Sequence, residues 1–157
     1  MRSLRIAGAL LALGTCAGIG VSIAEEEFDP QPIIEGRQAA LRDIGGAFKG
    51  ISDELKVSSP SIPTISHYAR QIDDLSRQQK FWFPAGTGPE AEIETRAKPE
   101  IWQSPEEFRK AQSAFSEHVQ KLVKAAESGN VATIQAQWRE LGKSCKGCHD
   151  RFREEED

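Results

Sequence analysis

The chain has 157 residues, with 20 lysines and arginines against 24 aspartates and glutamates, and a formal net charge of −4. That balance argues against nucleic acid as a partner, and the length is one domain's worth, enough for a single core. Neither an internal repeat nor a low-complexity tract is visible.

Met1 to Ala24 carries basic Arg2 and Arg5, then an apolar and small-residue run from Ile6, and closes on Val21-Ser22-Ile23-Ala24 ahead of Glu25-Glu26-Glu27. This predicts a secretory signal peptide over residues 1–24 with an S-x-A cleavage site, and a mature domain over 25–157. An uncleaved anchor is the competing reading, because the apolar stretch is nearly long enough to span a bilayer. The small residues and the cleavage motif favour removal. Cys16, after Leu13-Gly14-Thr15, only loosely resembles a lipoprotein box, since Thr15 is a poor residue at that place. Loss of Arg2 and Arg5 with the leader takes the formal charge from −4 to −6. Export would place the domain in the periplasm, where an unoccupied pair of thiols tends to oxidise.

From Pro32 to about Lys56 the apolar residues fall on two lanes with a spacing of seven, Ile34, Leu41, Phe48 and Leu55 on one, Ile44 and Ile51 on the other. That spacing predicts a bundle helix. Arg37 occupies the second lane where an apolar side chain is called for. A buried arginine needs an anion, so Arg37 either snorkels at the end of the stripe or meets an anionic group inside. Gly45, Gly46 and Gly50 each cost a helix roughly 1 kcal/mol against alanine, which suggests close approach of another backbone, from a neighbouring helix or a second subunit.

A second helix runs from Pro63, well placed near a helix start, to about Lys80, with Ile65, Tyr68, Ile72 and Leu75 as its apolar face and His67 solvated. Phe81 to Ser104 breaks all periodicity with Pro84, Gly86, Gly88, Pro89 and Pro99. A loop this long in a compact domain is usually functional. With Phe81, Trp82, Phe83, Ile101 and Trp102 at its ends, it reads as a cover packed over the bundle. Ser104-Pro105-Glu106-Glu107 then opens a third helix with a capping residue, a proline and first-turn glutamates. Phe108, Ala111, Phe115, Val119, Leu122 and Ala126 face inward, His118 lies near the rim, and Ser128-Gly129-Asn130 ends it.

The last helix begins near Val131 and carries Ile134, Trp138, Leu141, Cys145, Cys148 and Phe152 on its inner lane. Cys145-Lys146-Gly147-Cys148-His149 spells C-x-x-C-H, the attachment signature of c-type haem. Two thiols at this spacing can each add to a vinyl group of the porphyrin, and positions i, i+3 and i+4 share one helical face. Cys145 and Cys148 would hold the haem, and Nε2 of neutral His149 would ligate the iron. Two other uses of C-x-x-C compete. A zinc site lacks ligands, because His67 and His118 have no suitable spacing and a tetrahedral site needs four donors. A thioredoxin-like dithiol should open a helix after a strand, whereas this pair ends one. The predicted fold is therefore all-α, a four-helix bundle with the porphyrin inside it, the Phe81–Ser104 cover over one haem edge and a propionate as the anion that Arg37 would meet. No catalytic constellation is visible, and no enzymatic activity is expected.

Four amphipathic helices with the haem motif on the final one resemble the cytochrome c-prime family, the class II c-type cytochromes. Three stretches carry the resemblance: Gly36-Arg37-Gln38-Ala39-Ala40-Leu41, Glu94-Thr95-Arg96-Ala97-Lys98-Pro99-Glu100-Ile101-Trp102, and Ser144-Cys145-Lys146-Gly147-Cys148-His149-Asp150-Arg151-Phe152-Arg153. It implies one covalently bound haem c per chain. Arg37 and Gln38 would contact the haem and its propionates, Glu94 and Thr95 would approach it from the loop, and Leu41 would lie over the distal iron face. Arg153 matches an arginine implicated in proximal gas binding; an ordinary basic residue at a helix C-terminus explains it equally well. Some relatives use a methionine as sixth ligand, but Met1 is the only methionine here and leaves with the leader. Five-coordinate, high-spin iron follows, unless His67 or His118 ligates. Two functions then stand: a one-electron carrier serving redox partner proteins, or a protein that binds NO and CO to sequester or sense nitric oxide. A homodimer through the first two helices is the family expectation.

Overall fold

Residues 28–155 are described by the structure, a computed structural model. The predicted leader and its cleavage site lie outside the described residues, among which no helix is long and apolar enough to cross a membrane. Five α-helices follow in order: α1 (Gln31–Glu54), α2 (Ile62–Gln78), the short α3 (Glu100–Gln103), α4 (Pro105–Ser128) and α5 (Val131–Phe152). The four long ones form the bundle. The fold is all-α as predicted, with a lone antiparallel bridge between Ala97 and Arg153.

Local chemistry sets the ends. Ser61, in extended conformation, accepts from the Thr64 amide and starts α2, a cap hidden in sequence behind the more conspicuous Pro63. Gly129 closes α4 in the left-handed region at φ 69°, where a side chain would be strained. Asn130 then accepts from the Thr133 amide at 2.9 Å and opens α5, so the corner between α4 and α5 is only two residues long and the pair runs antiparallel.

α1 packs on α2, α2 on α4, and α4 on α5, whereas α1 and α5 barely touch. The dry core lies among the first three contacts: Ile51, Ile65, Ile72, Val119, Leu122, Ile134 and Leu141 are all essentially without solvent exposure. Each such aliphatic side chain contributes roughly 1.5–3 kcal/mol of burial. Beside α3 a smaller cluster joins Ile101, Phe108 and Phe152. Its rings meet edge to face, Phe83 on Phe108 at 4.9 Å and Phe108 on Phe152 at 5.1 Å.

Several expectations change. On α1 the buried residues are Ile34, Arg37, Ile44, Ala47 and Ile51, while Leu41 is 37% exposed and Phe48 and Leu55 are half-buried. Leu41 and Phe48, the middle of that lane, face the space left between α1 and α5. The buried face of α2 includes Ser66, Ala69, Asp73 and Ser76 besides Ile65 and Ile72; Asp73 pairs with Arg77 one turn on. Gly50 does meet a close neighbour, but it is the ring of Tyr68, which would stand 2.6 Å from an added Cβ, and not a backbone. Gly45 and Gly46 have nothing within 4 Å in this chain. Phe81, expected in the cover, is 69% exposed with the Lys80 ammonium over its ring. The aperiodic stretch also contains α3, which is too short to display a period.

Candidate functional site

The gap between α1 and α5 is a cavity of about 690 Å³, closed on a third side by the 82–103 loop and α3. Cys145, Cys148 and His149 all line it, since a spacing of three and four residues turns them to one face of α5. Arg37, Gln38 and Leu41 line it from α1, Glu94 and Thr95 from the loop, and Arg153 from just past the end of α5. The structure thus brings these nine residues, from three separate stretches of sequence, to one cavity. His67 and His118 are not among the lining residues; His67 is exposed, and the Nδ1 atom of His118 is buried without a hydrogen-bond partner.

Burial controls the chemistry of the motif. It pushes the Cys145 thiol up to about 11, helped by neighbouring Cys148, and raises the Cys148 thiol as well. Both sulfurs therefore remain protonated near neutrality, the opposite of the low-pKa thiolate a dithiol oxidoreductase requires. Burial, then the nearby Arg153 and Arg96 guanidinium groups, lowers His149. A neutral imidazole has a free nitrogen lone pair to give a metal. Among the described residues no cluster of three His, Cys, Asp or Glu side chains could hold a bare metal ion, so the zinc alternative finds no support.

Arg37 does not snorkel. It is 2% exposed, donating from Nη1 to Thr87 Oγ1 at 3.0 Å and from Nη2 to Thr95 Oγ1 at 2.9 Å. The rings of Phe83 and Trp102 flank it at 4.9 and 5.8 Å. Its hydrogen-bond acceptors among the described residues are neutral, and desolvation by burial, opposed by Glu90, lowers its pKa. A buried cation on neutral acceptors, facing a cavity, suits a ligand with an anionic edge. The remaining wall is largely hydrocarbon, with Ile44, Phe48, Phe83, Phe108 and Phe115. An apolar plate with acidic substituents, two thiol anchors and one imidazole donor matches this lining, which is the chemistry of a c-type haem.

Sequence reasoning missed parts of the site. Arg96, quoted only as part of a stretch, lines the cavity, and the loop is tied to the chain end by Lys98 N–H to the Phe152 carbonyl at 3.1 Å and Glu154 N–H to the Arg96 carbonyl at 2.8 Å. Those bonds place Arg153, whose Nη1 lies 3.4 Å from Nδ1 of His149. Thr87, fully buried, carried no signal beyond lying in a Gly-Thr-Gly triplet.

Residues 32–153 match the family model described as cytochrome c'. The chain is 30% identical over 153 residues to the cytochrome c' of Rhodospirillum rubrum, covering 98% of this chain and 99% of that one. It is 33% identical to the cytochrome c' of Rubrivivax gelatinosus over 126 residues, 80% of this chain and 96% of the relative. Among solved structures, the nitric oxide complex of a leucine-to-alanine variant of the Alcaligenes xylosoxidans cytochrome c prime superposes with a TM-score of 0.74 at 28% identity, covering 83% of this chain and all of that one. Its fold, its lining and its likeness along nearly the whole domain agree: this chain belongs to the cytochrome c' family and takes that family's cofactor, c-type haem.

Proposed function

We propose that this chain is a periplasmic one-electron carrier in which Cys145 and Cys148 hold the porphyrin through thioethers and His149 alone ligates the iron, leaving it five-coordinate, high-spin and open to NO and CO. The observation that carries this reading is the composition of the α1 wall. Leu41 stands there, an aliphatic side chain that cannot coordinate, and His149 is the only imidazole among the lining residues. Met1, the single methionine, belongs to the predicted leader.

The bound haem supplies an Fe(III)/Fe(II) couple; the residues of the chain supply selection. Hydrocarbon around the site penalises bulky or charged ligands, which must shed their hydration to enter, and spares small neutral diatomics when Leu41 moves aside. Arg37 and Gln38 on α1 would meet the acidic substituents of a bound porphyrin, Glu94 and Thr95 would approach it from the loop, and Arg153 stands beside the His149 imidazole. Gly46, with nothing within 4 Å in this chain and outside the cavity lining, is compatible with a second copy packing on α1 and α2, whereas Gly45 borders the cavity.

A second reading, nitric oxide sequestration or sensing, is favoured by the same Leu41, because an open coordination position serves no purpose in simple outer-sphere transfer. Optical and paramagnetic-resonance spectra of the purified ferric protein test the coordination: high-spin axial signals are expected, and a low-spin spectrum with two nitrogenous ligands would end the proposal. Adding CO or NO to the ferrous protein then tests gas binding, which an unchanged spectrum would remove.

A further inference from the structure

We infer that Arg37 and Thr87 form a latch that holds the 82–103 loop against α1, and that this latch sets how readily a diatomic ligand enters the cavity; the second half rests on the gas-binding reading above. The loop needs such a device. Between α2 and α4 the chain has only two 3-10 turns and the four-residue α3, and its backbone bonds to the chain end lie at Arg96 and Lys98, which leaves the side facing α1 to be held by side chains.

The latch closes a circuit. Arg37 projects from α1 and reaches across with two prongs, Nη1 to Thr87 Oγ1 at 3.0 Å and Nη2 to Thr95 Oγ1 at 2.9 Å. The Thr87 hydroxyl donates in turn to the Pro84 carbonyl at 2.8 Å, and Trp102 Nε1 donates to that same carbonyl at 3.0 Å. Trp102 and Phe83 then return to the guanidinium as flanking rings. A hydroxyl has one proton to give and lone pairs to receive, so Thr87 satisfies both sides at once. Next along α1, Gln38 Nε2 donates to the Glu94 carbonyl at 2.9 Å and extends the seam toward Leu41.

Position makes the seam matter for ligands. Leu41 on α1 and Glu94 and Thr95 on the loop line one cavity, so the line where α1 meets the loop is also its border. Arg37 is 2% exposed and Thr87 is fully buried. Water can replace neither of their hydrogen bonds until the loop lifts, and a planar fork held by two acceptors is a poor substrate for piecemeal loosening. Thr87 is not a lining residue, so changing it acts on the lining only through Arg37 and the loop, which is the latch itself.

The test uses haem-loaded protein carrying Thr87→Val, which removes the oxygen, and Thr87→Ser, which keeps it. Hydrogen–deuterium exchange over residues 84–98 and the CO association rate of the ferrous protein are read side by side. In Thr87→Val both are expected to rise by about tenfold, the loss of one charge-assisted hydrogen bond, while Thr87→Ser tracks the parent. Should Thr87→Val fail to accumulate, Arg37→Lys keeps the charge and loses the fork, and the same rise is expected. Parent-like exchange in Thr87→Val or Arg37→Lys would overturn the latch, as would a Thr87→Ser protein that loosens equally. Faster exchange with an unchanged CO rate would keep the latch and overturn its control of entry. A parent that binds no CO would sink the gas reading alone, leaving exchange to decide on the latch.

Discussion

The bundle has two interiors. Among α1, α2, α4 and the first half of α5 the side chains are aliphatics packed without solvent, Ile51, Ile65, Ile72, Leu122 and Ile134 among them. Between α1, α5 and the loop lie aromatic rings, a buried guanidinium, two thiols and an imidazole around open volume. The first interior gains stability from area removed from water and holds no group with chemistry to perform. In the second, burial works as a chemical instrument, keeping thiols protonated, an imidazole neutral and a cation in want of an anion. One fold supports both because each helix shows a different stripe to each interior.

That division makes the two regions separable by mutation. The largest effect is expected from Cys145→Ala with Cys148→Ala: acid-acetone extraction should then remove all haem from the protein, whereas the parent should retain it. Leu122→Ala, in the dry interior, should cost about 2–5 kcal/mol in denaturant unfolding and leave the absorption spectrum unchanged. Leu41→Ala is the mirror case. Because Leu41 is already 37% exposed, truncation should cost less than about 1 kcal/mol, yet CO should bind the ferrous protein faster. If Leu122→Ala alters the spectrum, or Leu41→Ala unfolds the chain, the two interiors are one. A last, local effect belongs to neither interior: Asn130→Ala removes the cap of α5 and should lower stability by about 1 kcal/mol with no change in haem spectrum or CO binding, read as a shift in thermal midpoint.

The dry interior was mostly legible in the order of residues, because a helix that buries aliphatics shows its period openly. Ile44, Ile51, Ile65, Ile72, Val119, Leu122, Ile134 and Leu141 were read from spacing and are buried. Ser66, Asp73 and Ser76 were not, since a polar residue on a buried face looks like part of a solvated one. The second interior was legible only where covalent chemistry fixes a spacing, as at Cys145, Cys148 and His149, or where a familiar stretch stood out. An apolar residue facing a cofactor cannot be told by its period from one facing a neighbouring helix, so spacing alone left Phe48 in the ordinary core and only the family resemblance set Leu41 over the iron. Arg37 was conspicuous as a cation in an apolar lane, but its partners Thr87 and Thr95 come from an aperiodic loop, where sequence distance says nothing about which hydroxyl reaches which donor. Gly50 was noticed for its cost to the helix; that an aromatic ring occupies the missing side chain's place depends on the rotamer of Tyr68.

The sparse contact between α1 and α5 also bears on how the molecule comes together. The two helices that frame the cavity are the first and last of the domain, so their faces can join only after the whole polypeptide has been made, the slowest kind of closure for a chain. A porphyrin riveted to the tail end of α5 would serve as mortar between them, giving each a surface that the other does not offer. Without its pigment the polypeptide should therefore keep α1 seated on α2 while the seam between α1 and α5 gapes, leaving that one flank open to proteases.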